Sequence, residues 1–117
     1  MNIENRDLLC YARFDQRLAG QIARSITPAL IEEHRLAPLG AHSDALARVL
    51  NYFRRGPVPG KYGIATAGPF GPYRIVRLTG QRGRRPQPAD DTLYDSMDAV
   101  YHAVFLKRLA DFNAAAR

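Results

Sequence analysis

The residues able to do chemistry are few. Three histidines, His34, His42 and His102, and one cysteine, Cys10, are the only His and Cys in the chain. His34 and His42 stand on either side of Pro38-Leu39-Gly40, and no Cys or acid completes a ligand spacing of the kind a zinc site uses. Nothing resembles H-E-x-x-H, so the spacing predicts no metal site. His102 lies on an otherwise apolar helical stretch, where a histidine satisfied in the core or at an interface is expected over a general base. Cys10 has Arg13 on the next helical turn, but with no local His partner it reads as a small buried apolar residue. Ser25, Ser43 and Ser96 lack the surroundings of a nucleophile elbow. Asp90-Asp91 reads as a solvated turn, because adjacent loop residues do not build the facing pair that two-carboxylate catalysis needs. No catalytic residue follows from these types and spacings.

The charged residues are more informative. The net charge is +6, from 17 Lys+Arg against 11 Asp+Glu. Its distribution is uneven: Ala45 to Ala89 holds nine bases and no acid, while both flanks are slightly acidic. A band of one sign attracts an anionic partner or an acidic protein face. Aromatic residues are interleaved with it, and the candidate partner-binding set is Tyr52, Arg54, Arg55, Lys61, Tyr62, Tyr73, Arg74 and Arg77. Tyr and Arg are enriched in protein–protein hot spots. An aromatic-basic strand face also serves single-stranded nucleic acid, and in that alternative Arg82, Arg84 and Arg85, in the Arg-Gly segment Gly80 to Arg85, track phosphates. A solvated hairpin exit explains that segment equally well. There is no phosphate-loop pattern and no RRM signature.

The elements that must position these residues are readable. Asn5 to Ser25 has apolar residues near helical spacing, Leu8, Tyr11, Ala12, Leu18, Ile22 and Ile26, with Phe14 beside Leu18. Thr27-Pro28 starts a second helix, with Glu32 and Glu33 in its early turns, ending near Leu36. Ser43 caps a third, in which Leu46, Val49, Leu50 and Phe53 form one stripe. Arg54 and Arg55 close it, Gly56 supplies a left-handed stop, and Pro57-Val58-Pro59-Gly60 runs extended. Lys61 to Ala67 and Tyr73 to Thr79 read as an antiparallel hairpin around the Gly/Pro connector 68–72. Gly80 to Asp91 is a loop. Ser96 caps a last helix from Met97 to about Phe112, whose apolar arc is wider than one stripe and calls for a central place in the fold; the tail beyond is expected to fray. The fold class is α+β, mostly helical, in the order α-α-α-β-β-α.

A length of 117 residues fits a single domain, 1–117, with a core of its own. The polar start Met1 to Asp7 carries no apolar run of a secretory signal, and no segment reaches the ~20 apolar residues of a membrane span. The expectation is a cytoplasmic chain.

At several of these residues the chain resembles a known family. Leu50-Asn51-Tyr52-Phe53-Arg54, Gly60-Lys61-Tyr62, Tyr73-Arg74-Ile75 and His102-Ala103-Val104-Phe105-Leu106-Lys107-Arg108 are similar, in order and spacing, to the small subunit of N,N-dimethylformamidase. Ile31-Glu32-Glu33-His34 followed by Pro38-Leu39-Gly40 is similar to that subunit's earlier helix and break. The resemblance spans roughly Leu30 to Phe112. It implies a non-catalytic accessory chain packed against a larger amidohydrolase-like subunit, with iron and catalytic residues belonging to that subunit and no cofactor held here. It gives the aromatic-basic face a role as a subunit interface. The loops 67–72 and 81–88 depart from the family in charge.

Overall fold

The computed structural model describes residues 3–55 and 60–115. The stop expected at Gly56 and the extended Pro57-Val58-Pro59 lie outside the described residues, as do the side chains of Leu8 and Tyr11. Four helices and a small sheet follow in the order α1 (Ile3–Ser25), α2 (Pro28–Leu36), α3 (Asp44–Phe53), β1 (Tyr62–Thr66), β2 (Tyr73–Arg77), β3 (Gln87–Pro88) and α4 (Met97–Ala115). The α+β class and the α-α-α-β-β-α order read from the sequence are found, with one further short strand between β2 and α4.

Helix starts follow their caps. The Thr27 hydroxyl accepts from Leu30 N–H at 3.2 Å, the Ser43 hydroxyl from Leu46 N–H at 3.3 Å, and the Ser96 hydroxyl from Ala99 N–H at 3.1 Å. Each satisfies a backbone donor that has no partner inside its helix. Glu32 and Glu33 lie past the first turn of α2 and serve side chains instead of the dipole. Glu32 pairs with Arg35, and Glu33 accepts from the Ser43 backbone at 2.7 Å and from the Ser43 hydroxyl at 2.8 Å. That bidentate contact ties α2 to the start of α3.

The sheet is antiparallel, ordered β1-β2-β3, with Tyr62 opposite Arg77, Ile64 opposite Ile75 and Thr66 opposite Tyr73. Cross-strand partners share a face. Ile75 is fully buried on that face, against Val100 and Val104 of α4. In the connector, Gly71 has φ +103° and the Tyr73 ring lies 3.2 Å from where its Cβ would be, so only glycine fits. The stretch expected to be all loop contains β3, which pairs with Val76 and Arg77. Two residues, one of them Pro88, carry no period-2 pattern, which is why the strand is invisible in the sequence.

Two apolar clusters make the core. One gathers Ile22, Leu30, Leu46, Val49, Leu50, Phe105 and Leu109; the other gathers Ile75, Val100 and Val104. Helix α4 contributes to both, which accounts for its wide apolar arc. It also continues to Ala115, three residues beyond the expected Phe112. The stripe expected on α1 divides: Leu18, Ile22 and Ile26 pack into the first cluster, while Ala12 and Phe14 are exposed, Phe14 at 63%. Cys10, expected to be buried, is exposed on that same half-helix. The chain is elongated, 56 × 40 × 25 Å, with a radius of gyration of 16.5 Å; a compact chain near this length has about 13 Å. Among the described residues no helix is long and apolar enough to cross a membrane.

Candidate functional site

The end of α3, strand β1 and the middle of α4 enclose a groove, closed at one side by the α2–α3 connector around Pro38, Leu39 and Gly40. Its volume is about 700 Å³. Leu50, Ile64, Val104 and Phe105 supply its apolar floor, and Arg54, Tyr62, Arg108, His34 and His42 its polar walls. Among the described residues, no Asp or Glu lines it. A second hollow of about 380 Å³ lies beyond Tyr62 and Arg108, bounded by Tyr52, Phe53, Arg55, Lys61 and Asp111. Tyr62 and Arg108 form the ridge between the two. Of the segments that carry the resemblance, all but Tyr73-Arg74-Ile75 contribute residues to the larger groove.

The predicted partner-binding residues divide into two groups. Tyr52, Arg54, Arg55, Lys61, Tyr62 and Arg77 gather where α3 ends and β1 begins. Several are held internally. The Tyr62 hydroxyl donates to Asp111 at 2.5 Å and accepts from Arg77 at 2.9 Å, and the Arg77 guanidinium lies 4.7 Å from the Tyr62 ring centre. Burial, then the Asp111 carboxylate, raises the Tyr62 pKa, keeping the phenol protonated as a donor. Lys61 Nζ donates to the Arg54 carbonyl at 2.6 Å. Arg55 reaches Asp15 of α1 at 3.3 Å and lies 5.3 Å from the Tyr52 ring centre. Tyr73 and Arg74 lie at the other end of the hairpin. Tyr73 packs on the second cluster, and Arg74, on the opposite sheet face, has a buried Nε with no partner among the described residues. Arg82, Arg84 and Arg85 are all exposed in a turn organised by the Thr79 hydroxyl, which accepts from Gln81 N–H at 3.3 Å.

Arg108 was not among the sequence candidates. It is half-buried on α4 and shares the groove with Arg54. Burial, then the nearby charge of Arg54, pushes its pKa down, with Tyr62 opposing. Among the described residues neither arginine is in an ion pair; of the nine bases in the acid-free band, Arg55 alone is. The sequence signal for Arg108 was its place one turn past Val104 on an apolar helix face, where a long cation must reach out or find an anion.

The three histidines, far apart in sequence, meet. His34 Nδ1 lies 3.0 Å from His102 Nδ1, and the His34 ring stacks on His42 at 5.9 Å and on Phe105 at 4.1 Å. His42 Nε2 lies 3.0 Å from the Ala37 carbonyl. The rings stack, and the nearest nitrogens satisfy each other instead of facing a common point. Among the described residues no group of three His, Cys, Asp or Glu is arranged to hold a metal ion. His102 is half-buried, with its Nδ1 against His34. Asp90, expected in a solvated turn, instead pairs with Lys107 at 2.9 Å and accepts from Thr92 N–H at 3.1 Å. Burial pushes its carboxyl up, but these bonds outweigh burial and hold it below the usual carboxylate range.

The family described as N,N-dimethylformamidase alpha subunit matches residues 9–117. The N,N-dimethylformamidase alpha subunit of Paracoccus aminophilus is 39% identical over 106 residues, covering 86% of this chain and 74% of the relative. The alpha subunit of the same name from an Alcaligenes species is 36% identical over 118 residues, covering 97% of this chain and 88% of the relative.

Proposed function

The chain belongs to the N,N-dimethylformamidase alpha-subunit family, and from that membership we propose that it is a non-catalytic accessory subunit of a heteromeric amide hydrolase. Its partner is a larger amidohydrolase-like chain that carries the iron and the catalytic groups. The side offered to that chain is the Arg/Tyr-rich one formed by Tyr52, Arg54, Arg55, Lys61, Tyr62 and Arg77, around the groove. The observation that carries this is the state of the basic band: its bases are largely without internal carboxylates among the described residues. Single-sign surface charge of this kind repels itself and is relieved by an acidic partner face.

The nucleic-acid alternative draws on the exposed Arg82, Arg84 and Arg85. It is the weaker reading, because base stacking needs open aromatic faces. Tyr62 and Tyr73 are half-buried against α4, and Tyr62 is already covered by Arg77, which leaves a single open ring on the hairpin, Phe70, 95% exposed in the connector.

The test is co-expression with a large amidohydrolase-like chain, which this reading expects the neighbouring gene to encode. The two should co-purify, and their affinity should fall as salt rises from 0.1 to 0.5 M, since screening weakens exposed charge pairs. Two chains that never associate at low salt would remove the accessory-subunit reading.

A further inference from the structure

We propose that the groove between the α2–α3 connector, β1 and α4 is the specific receptor for a carboxylate side chain of the partner subunit, held by Arg54 and Arg108 above the floor of Leu50, Ile64 and Phe105. The proposal rests on the accessory-subunit reading and narrows its broad face to one pocket.

Charge complementarity carries it. Among the described residues, every ionisable side chain lining the groove is a base or a phenol, and no acid lines it. Two guanidinium groups share the space, one of them half-buried on α4. The carboxylate nearest in sequence to Arg108, Asp111, accepts from the Tyr62 hydroxyl at 2.5 Å and faces the second hollow. Holding like charges together in a partly dry groove is unfavourable without an anion between them. A carboxylate satisfies two planar forks at once, and charge-assisted bonds of this type strengthen as water is excluded. The apolar floor rewards the aliphatic stem of the incoming side chain. A volume of about 700 Å³ is that of a ligand-sized cleft, with room for the carboxylate side chain and its immediate neighbours.

The experiment measures association of the full chain with the co-expressed large subunit at 0.15 M salt. Wild type is compared with Arg54→Gln, Arg108→Gln, the double variant, and Arg108→Lys, which keeps the charge and stem but loses the fork. A triple Gln variant at Arg82, Arg84 and Arg85 is the control for general charge. The expected result is roughly tenfold weaker binding for each single Gln variant and at least about thirtyfold for the double, mostly in the dissociation rate. Arg108→Lys should be intermediate, and the control should change binding by less than about threefold. Thermal midpoints of the isolated variants check folding, and the Lys variant decides the matter should Arg108→Gln fail to fold. A double variant that is folded and binds like wild type overturns the groove while leaving the accessory reading standing. Wild-type chains that do not associate overturn both. Titration of the isolated chain with glutarate distinguishes the source of the carboxylate: saturation at micromolar concentrations would make this a small-molecule site and overturn the partner assignment.

Discussion

His34 is 3% exposed, and its contact with His102 joins two Nδ1 atoms. One ring must therefore present N–H and the other a lone pair, an arrangement open to two neutral imidazoles of opposite tautomer and lost when both nitrogens carry protons. Burial, then the charges of His102 and His42, lowers the His34 pKa from 6.5 to about 4, with Glu33 opposing. Burial, then Arg35, lowers that of His102. A depressed histidine leaves the folded chain binding fewer protons than the unfolded one. Its contribution to stability is fully present above pH 6.5 and is lost as the pH falls through the folded value. The full loss is about 3 kcal/mol. The thermal midpoint should therefore drop between pH 6.5 and 4.5, before most carboxylates titrate, and His34→Gln should flatten that decline. A wild-type midpoint constant over this interval would contradict the assignment. None of this was legible in the sequence, where the histidines are isolated and only the packing of α2 on α4 brings two of them into contact.

At the scale of elements, the tie between α2 and α3 deserves a direct test. The Ser43 hydroxyl both caps α3 and donates to Glu33, whose pKa is lowered by the Ser43 backbone and hydroxyl bonds. Ser43→Ala should cost about 1 kcal/mol as a lost cap. In a double-mutant cycle with Glu33→Gln the two effects should fall short of additive, because both remove the same contact. Additivity in urea unfolding would show that the cap acts alone. The cap itself was readable from Ser43 followed by an apolar stripe. Its second partner was not, since Glu33 lies across the Pro38-Leu39-Gly40 break, and its place near the start of α2 suggested a dipole role. The third strand was hidden for a similar reason: Gln87-Pro88 becomes a strand only because Val76 and Arg77 offer an edge to pair with.

At the scale of the whole molecule, α4 is the element on which both apolar clusters depend. Phe105 is fully buried between α2 and α3, while Val100 is fully buried against the sheet. Phe105→Ala should cost about 3–5 kcal/mol, and Val100→Ala less, in the range of a smaller truncation. Both should shift one common unfolding transition, since a single helix carries both clusters. Two separate transitions, one for each cluster, would contradict that view. The same helix sets the groove, presenting Phe105 to its floor and Arg108 to its wall. What the residue string determines by itself is local: caps at Thr27, Ser43 and Ser96, the stripe of α3, the hairpin alternation and the acid-free basic band all follow from periodicity and composition within a few turns of chain. Only the tertiary structure decides which charges remain without partners, that Asp90 is tied to Lys107, that three scattered histidines stack, and that Arg108 joins Arg54 in one groove. These contacts join residues on different elements, and most of them depend on how α4 docks against the rest.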